Sequence, residues 1–337
     1  MQIEHHKSLK EFNTFGIDCQ AKHFVSITTV LQLKEVLSQN IHPSLFVLGG
    51  GSNMLLTQDI DALVAHIDLK GISIHSEDET QVILEVMAGE NWHDFVQYCI
   101  ANNYGGVENL SLIPGNVGTA PIQNIGAYGV ELKDVFESCT AVEIETREEK
   151  TFRKEDCKFG YRNSIFKNEA KGKYIITSVL FKLTKIDHKK STSYGAIQQK
   201  LEERDIKDPS IKDISEAVIA IRQSKLPDPA ELGNSGSFFK NPVIGAEAFQ
   251  EFRSKHPGAP FYEVSATEFK IPAGWLIEQA GFKGQRFGDA GVHKYQALVL
   301  VNYGDATGNE IWELALRIQK KVKDDFGIYI EPEVNII

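Results

Sequence analysis

A single glycine-rich stretch, residues 105–129, most constrains what this chain can fold into. Its sequence, GGVENLSLIPGNVGTAPIQNIGAYG, holds six glycines, two prolines and Glu108 as its one charged residue. Glycines weaken a regular helix or strand, and a solvated loop of this length is normally more polar. We therefore expect buried, irregular backbone whose N–H groups lie close to a phosphate-bearing ligand. A long connector is the alternative, but such loops are usually functional or disordered, and the isoleucines argue against disorder.

A second glycine-rich turn stands earlier in the chain, in LFVLGGGSNMLL at residues 45–56. An apolar run enters three glycines and a second apolar run follows at once, which predicts a strand, a tight turn and a strand. The dinucleotide fingerprint GxGxxG is absent, and no helix is expected to open after the glycines. Residues 49–53 offer N–H and hydroxyl donors to a phosphate, although a plain turn explains this motif about as well. The phosphate-binding interpretation of this turn is favoured because the same chain holds the longer glycine-rich stretch.

Length, charge and cysteine usage narrow the class of protein. A chain of 337 residues exceeds one ordinary core, so two or three domains are expected. The net charge of -10, from 36 basic and 46 acidic residues, disfavours nucleic acid and membrane surfaces as partners. The four cysteines lie far apart without CxxC spacing, so we expect reduced cytoplasmic thiols and no metal site. The polar N-terminus shows no secretory signal, and no apolar run approaches the ~20 residues that span a bilayer.

Hydrophobic periodicity predicts both strands and helices along the chain. Strands are expected at 23–27, 82–88, 141–146 and 174–183, and across IYIEPEVNII at the C-terminus. Helices are expected from Thr28 or Thr29 to about Leu37, at 90–103, at 213–223 and at 308–327, with Gly327 as a C-cap. The polar segment 185–210 is expected to be a domain boundary or a mobile cover.

Several polar residues in apolar or glycine-flanked surroundings are candidates for chemistry. Arg162 lies in FGYRNSIFK, where an ordinary surface arginine is an equally good interpretation. Ser237 lies in LGNSGSFFKNP without a G-x-S-x-G context, so nucleophilic hydrolase chemistry is unsupported. Glu333 stands on the last predicted strand, where carboxylates are usually solvated. Arg222 and Lys225 lie near the C-terminus of a predicted helix, where the helix dipole gives them a structural explanation.

Motifs that are weak singly become specific in combination. Eight of them follow one another from near residue 13 to residue 334: NTFGID, VLGGGSN, IPGNVGTAPIQNIGAYG, FGYRNSIFK, RQSKLPDP, GSFFKNP, HKYQALVLVN and EPEV. The combination resembles the UDP-N-acetylenolpyruvoylglucosamine reductase family, the flavin reductases of peptidoglycan precursor synthesis. The segment STSYGAIQQKL is similar to the type of this family whose extra tyrosine loop folds over the substrate. One departure is Thr119-Ala120, where serines are common in the family, but the threonine keeps a hydroxyl.

The resemblance implies an α+β fold with a two-part FAD-binding domain of the PCMH/vanillyl-alcohol-oxidase type and a separate α+β substrate domain. The FAD-binding subdomains are expected at 1–70 and 71–200 and the substrate-binding domain at 201–325, with a C-terminal strand, 326–337, returning to the active site. FAD contacts are expected from both glycine-rich turns and from the FGYRNS segment: Gly49, Gly50, Gly51, Ser52, Asn53, Ile113, Gly115, Thr119, Ile122, Gly126 and Tyr161.

The same resemblance implies the reaction and its residues. NADPH gives a hydride to N5 of FAD and leaves, and UDP-N-acetylglucosamine enolpyruvate then takes its place and is reduced to UDP-N-acetylmuramate. Arg162, with Glu333 beside it, is expected to stabilise the enolate that develops on the carboxylate side. Ser237 matches the proton donor of the family. Substrate or nicotinamide contacts are expected from Tyr194, Lys225, Asn241 and Gln296.

The expected protein is a cytoplasmic monomer whose partners are FAD, NADPH and the enolpyruvyl nucleotide sugar. Two other functions remain open on the sequence. A flavin oxidase of the same FAD-fold superfamily, acting on another alcohol, would be favoured by a histidine or cysteine attached to the flavin, and none stands in the GGGSN turn. A non-catalytic nucleotide-binding module would purify as a colourless protein, whereas a flavoprotein would be yellow.

Overall fold

The computed structural model describes residues 2–39 and 41–337, which form helices and strands in an α+β arrangement. The helices are α1 (Val30–Ser38), α2 (Trp92–Ala101), α3 (Gly195–Glu202), α4 (Ile211–Lys225), α5 (Ala246–Lys255), α6 (Ala273–Gln279) and α7 (Gly308–Phe326). Short 3₁₀ helices lie at Lys10–Phe12, Glu108–Leu110, Val117–Gln123, Leu132–Asp134 and Ile165–Lys167.

The strands are short except where they build the two larger sheets. Those before residue 100 are β1 (Glu4–Ser8), β2 (Gln20–Ile27), β3 (Leu45–Leu48), β4 (Met54–Leu55), β5 (Ile60–Ile67), β6 (Ile72–Glu77) and β7 (Gln81–Met87). The middle of the chain adds β8 (Gly126–Ala127), β9 (Val130–Glu131), β10 (Phe136–Glu143), β11 (Glu149–Arg153) and β12 (Tyr174–Thr184). The remaining strands are β13 (Gly233–Ser237), β14 (Val243–Gly245), β15 (Tyr262–Glu263), β16 (Glu268–Lys270), β17 (Arg286–Phe287), β18 (Ala290–Val292), β19 (Val299–Asn302) and β20 (Asn335–Ile336).

The chain forms two compact units, and the segments of one unit alternate with those of the other along the sequence. The first unit is Met1–Lys7, Ala21–Gly50 and Asp61–Ser224, and the second is Ser8–Gln20, Gly51–Ile60 and Lys225–Ile337. Two short N-terminal pieces therefore belong to the same unit as the C-terminal third of the chain. The four-part division that the resemblance implies stays a prediction.

The first unit is built on a four-stranded sheet and a five-stranded sheet. The smaller has the order β1-β2-β5-β3, with β3 and β5 parallel, and the larger is antiparallel in the order β11-β10-β12-β7-β6. Alternate residues of β7 are buried, as period-2 patterning requires, and they pack against Trp92 and Phe95 of α2. Asn91 caps α2 by accepting bonds from the N–H groups of its first turn, which fixes where this helix begins.

The glycine-rich stretch 105–129 has the irregular, largely buried backbone predicted for it. Short 3₁₀ turns replace regular structure, and the stretch is bonded to the connection between β7 and α2. The amide of Trp92 donates to Gly115 O at 2.9 Å, and the amide of Gly118 donates to Ala88 O at 2.9 Å. Gly118 lies so close to Ala88 that a Cβ would stand 2.5 Å from the alanine Cβ. Only glycine therefore fits at residue 118.

The second unit has an antiparallel sheet, β13-β19-β18-β17, against which α7 packs. A capping box between Thr307 and Glu310 begins α7, and Gly327 ends it with a φ of 68°, so the predicted C-cap is confirmed. The unit also holds a small sheet, β14-β16-β15. The C-terminal strand β20 runs parallel to β4.

Two of the predicted elements need correction. The polar segment 185–210 contains α3, which the sequence reading missed because the buried Ile197 and Leu201 are scattered among charged residues; they pack against Ile214 and Val218 of α4. The predicted C-terminal strand forms a ladder over Asn335–Ile336. Before that point the chain alternates buried and more exposed residues as expected, but its pairing there is an isolated antiparallel bridge between Pro332 and Phe239.

Candidate active site

The two glycine-rich segments that were expected to share a ligand touch within the first unit. A Cβ on Gly49 would stand 2.7 Å from Thr119 Cγ2, and a Cβ on Gly50 would stand 2.7 Å from Asn116 Oδ1 and 3.0 Å from Gly115 Cα. These separations are shorter than real Cβ contacts, so the close approach depends on glycine at both positions. Main-chain N–H groups of both segments are thereby brought close to one another.

A cavity of about 210 Å³ lies next to this contact, and Gly49, Gly118 and Thr119 are among its lining residues. Its other walls are mainly apolar and aromatic: Val47, Ile67, Ala88, Ile122, Ile144, Phe166, Ala170, Tyr174, Ile175 and Ile176 line it, together with Gly172. Apolar walls beside a few hydrogen-bonding groups are typical of sites for flat ring systems. The residues present therefore fit a dinucleotide such as FAD, with donors for phosphate beside an apolar cavity for a ring.

The rest of the GGGSN turn belongs to the second unit, where it is fixed by backbone bonds. Gly51 has a φ of 59°, and a Cβ there would collide with the carbonyl oxygen of Phe12, so this turn also requires glycine. The carbonyl oxygen of Asn53 accepts the N–H of Asn335 at 3.1 Å, and the Asn53 side chain donates to Glu333 O at 3.5 Å. Ser52 is partly exposed beside them. The turn is thus bonded directly to the C-terminal segment that carries Glu333.

Arg162 occupies a strained turn beside the long glycine-rich stretch. Residues 160 and 163 exchange backbone hydrogen bonds, and Arg162 between them has a φ of 53°, which few side chains adopt. Its guanidinium lies 5.8 Å from the ring centroid of Tyr161, a residue that is 64% exposed. A Cβ on Gly126 would stand 3.5 Å from Arg162 Nη1. The structure therefore brings Arg162, Tyr161 and Gly126 together, as a shared site requires.

Tyr194 precedes the first turn of α3, and its side chain is 51% exposed. Its ring meets the ring of Tyr128 edge to face, with 5.3 Å between centroids. Asn109 ties the start of this segment to the glycine-rich stretch, because its side-chain amide donates to Ser191 O at 2.9 Å and to Tyr128 O at 3.2 Å. The segment from Ser191 to Tyr194, called the tyrosine segment here, is therefore held at its start by Asn109 and at its end by α3.

Arg222 is a candidate that the sequence reading explained by the helix dipole alone. Its side chain leaves α4 and donates from Nε to Leu112 O at 3.2 Å, and its guanidinium lies near the hydroxyl group of Tyr128. Burial and the nearby charge of Arg162 lower the pKa of this guanidinium. The signal available in the sequence was weak, because the two partners lie about ninety and more residues away along the chain.

Ser237 and Glu333 lie at neighbouring positions in the second unit. Ser237 is the last residue of β13 and is exposed. The next residue, Phe238, donates its N–H to Leu298 O at 2.7 Å and accepts the N–H of Glu333 at 2.8 Å. The backbone on the C-terminal side of Ser237 is thus held by two segments, one of which carries the candidate carboxylate.

Asn241 and Gln296 both meet the first turn of α6. Asn241 Oδ1 accepts the N–H of Ala273 at 2.9 Å, and Gln296 Oε1 accepts the N–H of Leu298 at 3.3 Å. A Cβ on Gly274 would stand 3.2 Å from the same Gln296 oxygen. Each amide oxygen is used within the protein, which leaves the NH₂ groups as donors. Lys225, at the end of α4, is exposed.

Two family models match the chain and define its class. An FAD binding domain covers residues 21–153, and a domain described as UDP-N-acetylenolpyruvoylglucosamine reductase, C-terminal domain, covers residues 228–337. The first match agrees with paired glycine-rich turns that lack the dinucleotide fingerprint. The chain is a flavoprotein with an FAD-binding domain followed by a second α+β domain, and the expected fold class is confirmed.

The relatives identify the family within that class. The chain is 62% identical to the UDP-N-acetylenolpyruvoylglucosamine reductase of Flavobacterium johnsoniae and 48% identical to that of Pseudomonas putida, with 99% or more of both chains covered. A solved structure of the reductase from Thermus caldophilus matches 100% of the chain and 99% of its own length with a TM-score of 0.69, at 24% identity, so it shares the fold. The chain belongs to the UDP-N-acetylenolpyruvoylglucosamine reductase family and is an FAD-dependent oxidoreductase.

Proposed function

We propose that this chain reduces UDP-N-acetylglucosamine enolpyruvate to UDP-N-acetylmuramate, with NADPH as the hydride source, in peptidoglycan precursor synthesis. The observation that carries the proposal is the 62% identity to a reductase of that name over the full length of both chains. Bound FAD would supply the two-electron chemistry, accepting a hydride from the nicotinamide and giving it to the vinyl methylene carbon. The residues of this chain would bind, orient and exchange protons with the substrate.

Ser237 would donate the proton that the neighbouring carbon needs after hydride transfer. An exposed hydroxyl at the end of a strand can reach a ligand, and the bonded backbone of Phe238 would hold it in position. A serine is a weak acid, so it needs help from a neighbouring group or from water. The adjacent backbone of Glu333 supports the view that this carboxylate belongs to the same proton-transfer group.

Arg162 would stabilise the negative charge that develops on the carboxylate side of the substrate. A guanidinium presents a planar set of donors that matches a carboxylate in two parallel hydrogen bonds. The strained backbone of Arg162 supports a functional position, since such strain persists where the surroundings impose it. Its proximity to Gly126 would bring this charge to the cofactor side of the site.

The nucleotide-sugar part of the substrate would be bound by Tyr194, Lys225, Asn241 and Gln296. The two amides support this role because their oxygens accept backbone N–H groups, of Ala273 and of Leu298 respectively, which leaves their NH₂ groups as donors. We further propose that the protein works as a monomer in the cytoplasm, without nucleic acid or membrane. The four cysteines are free and buried, which suits a reducing compartment. Within the two described ranges, no helix has the length and apolar character to cross a membrane.

The experiment is anaerobic reduction followed by reoxidation. The purified protein should carry the absorption of oxidised flavin and lose it with NADPH, and adding UDP-N-acetylglucosamine enolpyruvate should restore it. UDP-N-acetylglucosamine, which lacks the enolpyruvyl group, serves as the matched control and should leave the flavin reduced. A colourless protein, or reoxidation that the enolpyruvyl group does not accelerate, would refute the proposed function.

A further inference from the structure

The positively charged side chain of Arg222 contacts the glycine-rich stretch 105–129, and no carboxylate pairs with it there. Its Nε donates to Leu112 O at 3.2 Å and its guanidinium lies near the Tyr128 hydroxyl, and both of these groups are neutral. Across residues 2–39 and 41–337, no carboxylate lies within ion-pair distance of Arg222. The residue is partly buried, so its charge is poorly solvated.

The charged groups that face Arg222 make this arrangement less favourable. Arg162 is near enough to lower the pKa of the Arg222 guanidinium, and Arg222 in turn lowers the pKa of His93 on α2. Asp94 acts on His93 in the opposite sense. Two guanidiniums that are near enough to repel each other, one of them without a carboxylate, cost free energy unless an anion is bound near them. The pair is therefore typical of an anion-binding site.

Both residues that hold Arg222 have strained backbones. Leu112 has a φ of 60° and Tyr128 a φ of 49°, in the left-handed region that side chains of this size rarely adopt. Further bonds impose these conformations, because the N–H of Leu112 donates to His93 Nδ1 at 3.0 Å and Tyr128 O accepts from Asn109. Strain at two contacts of one arginine indicates that its position is specified by function.

We propose that Arg222 is an anion-binding residue of the flavin site, which acts beside Arg162 and takes a planar, delocalised oxyanion through its remaining N–H donors. Two groups in the proposed reaction have this chemistry: the N1–C2=O edge of reduced flavin, and the carboxylate of the enolpyruvyl substrate or lactyl product. The inference rests on the proposed function. It adds a second cation to the site and gives Tyr128 the task of orienting it.

Tyr128 also joins this cation to the tyrosine segment. Its hydroxyl lies near the Arg222 guanidinium, and its ring packs against the ring of Tyr194, with 5.3 Å between centroids. A ligand that orders Tyr194 therefore acts on the same side chain that orients Arg222. Through this contact the segment above the substrate and the anion site share one residue.

The test compares Arg222→Gln, which removes the charge, with Arg222→Lys, which keeps a point charge but loses the planar fork. Arg204→Gln is the matched control, since Arg204 pairs with Glu216 at an exposed site in the same unit. Two quantities are measured on FAD-loaded protein: the flavin midpoint potential, and the dissociation constants of UDP-N-acetylmuramate, which has the carboxylate, and UDP-N-acetylglucosamine, which lacks it.

If the ligand carboxylate is the anion, Arg222→Gln weakens UDP-N-acetylmuramate binding at least tenfold and leaves UDP-N-acetylglucosamine binding and the potential unchanged. If the reduced flavin is the anion, the potential falls by about 30 mV or more, the equivalent of a tenfold loss for two electrons. Arg222→Lys should show the same change in the same direction but to a smaller extent, because it keeps the charge and loses the planar fork. It decides the question should Arg222→Gln fail to fold.

Unchanged potential and unchanged binding of both ligands in the Arg222 variants would overturn the assignment and leave Arg222 a structural residue. Equal weakening of both ligands would overturn it as well, because that result reports a general loss of the site. The wild-type protein is assayed alongside. Failure of its reduction by NADPH or its reoxidation by substrate counts against the proposed function, whereas normal wild type with unaffected variants counts against Arg222 alone.

Discussion

At the scale of single residues, Ser237 differs from Ser235 in the exposure and the bonding of its hydroxyl group. Ser235 is buried and its hydroxyl donates to Met54 O at 3.3 Å, so it serves the packing of the turn. Ser237 is exposed, although the residue after it is bonded on both sides. An exposed hydroxyl next to a backbone residue that is bonded on both sides suits a proton donor better than a cap.

Replacing Ser237 should separate the two half-reactions. Reduction of the flavin by NADPH delivers no proton to carbon, so Ser237→Ala should bleach the flavin at a near-normal rate. Reoxidation by the enolpyruvyl substrate should fall by about 10²-fold or more, the scale of a lost general acid. Stopped-flow traces of both steps on one preparation measure this, with Ser235→Ala as the control for turn stability. Reoxidation at the wild-type rate would remove Ser237 from the mechanism.

His93 shows that a histidine near the site can serve the fold. Its Nδ1 accepts the N–H of Leu112, which requires an unprotonated ring nitrogen. Burial lowers its pKa below the ordinary value of 6.5, and Arg222 lowers it further, against an opposing effect of Asp94. The unfolded chain therefore takes up this proton at a higher pH than the folded chain. The contribution of His93 to stability is present above pH 6.5 and is lost as the pH falls through the interval between the two pKa values.

We expect the free energy of unfolding to decrease as the pH falls below about 6.5, and His93→Gln to reduce the size of that decrease. Denaturant titrations at several pH values measure it. His75→Gln is the control, because His75 is exposed on β6 and the substitution removes a histidine without disturbing a buried contact. An identical slope in His93→Gln and wild type would show that His93 does not titrate in this interval.

At the scale of elements, the turn after β3 fits against the 113–129 segment because Gly49 and Gly50 place no side chain at the contact. Gly50→Val would place methyl groups where Asn116 and the Gly115 backbone stand. We expect a folded protein with at least a severalfold lower FAD content, since the two donor segments would be pushed apart. The ratio of flavin to protein absorbance measures this. Gly258→Val is the control, because a Cβ at Gly258 has nothing within 4 Å. Equal flavin content in both variants would contradict the shared site.

The secondary-structure elements also show which parts of the fold and site could be predicted from the sequence. Helices α2 and α7 were predictable because their apolar residues repeat on one face and capping residues mark their starts. Helix α3 was not, since two buried residues among eight give too little periodicity. The glycines of the two loops predicted the contact between them, because a run of residues without side chains indicates close approach of the backbone. Arg222 was missed as a site residue because its task depends on Leu112, 110 positions away, and on strain that no residue type announces.

At the scale of the whole molecule, the second unit depends on its two N-terminal pieces. Asn302 donates from its side chain to Phe15 O at 2.9 Å, and the N–H of Asn234 donates to Thr14 O at 2.9 Å. The C-terminal carbonyl of Ile337 accepts the N–H of Thr57 at 2.8 Å. Removing residues 8–20 and 51–60 would leave buried polar groups without partners and strand β20 without its neighbour.

We therefore expect residues 225–337, expressed alone, to lack cooperative thermal unfolding. The control is the same fragment with 8–20 and 51–60 joined to it through flexible linkers, which should regain a cooperative transition because those buried bonds are restored. Circular dichroism melts of the two polypeptides measure the difference. A sharp, native-like transition in the shorter fragment would show that the N-terminal pieces are dispensable.

The interleaving also limits how a gene for such a chain can change. One crossover between two diverged parents, at the codon for Lys225, would combine the C-terminal third of one parent with the 8–20 and 51–60 pieces of the other. Strand β20 would then meet a foreign β4, and Asn302 a foreign Phe15 segment. A recombination event that preserves the contacts within the second unit must therefore transfer three separate stretches of coding sequence together. The three stretches of the second unit must therefore be inherited together, and the first unit's segment 21–50, which lies between two of them, is carried along with them.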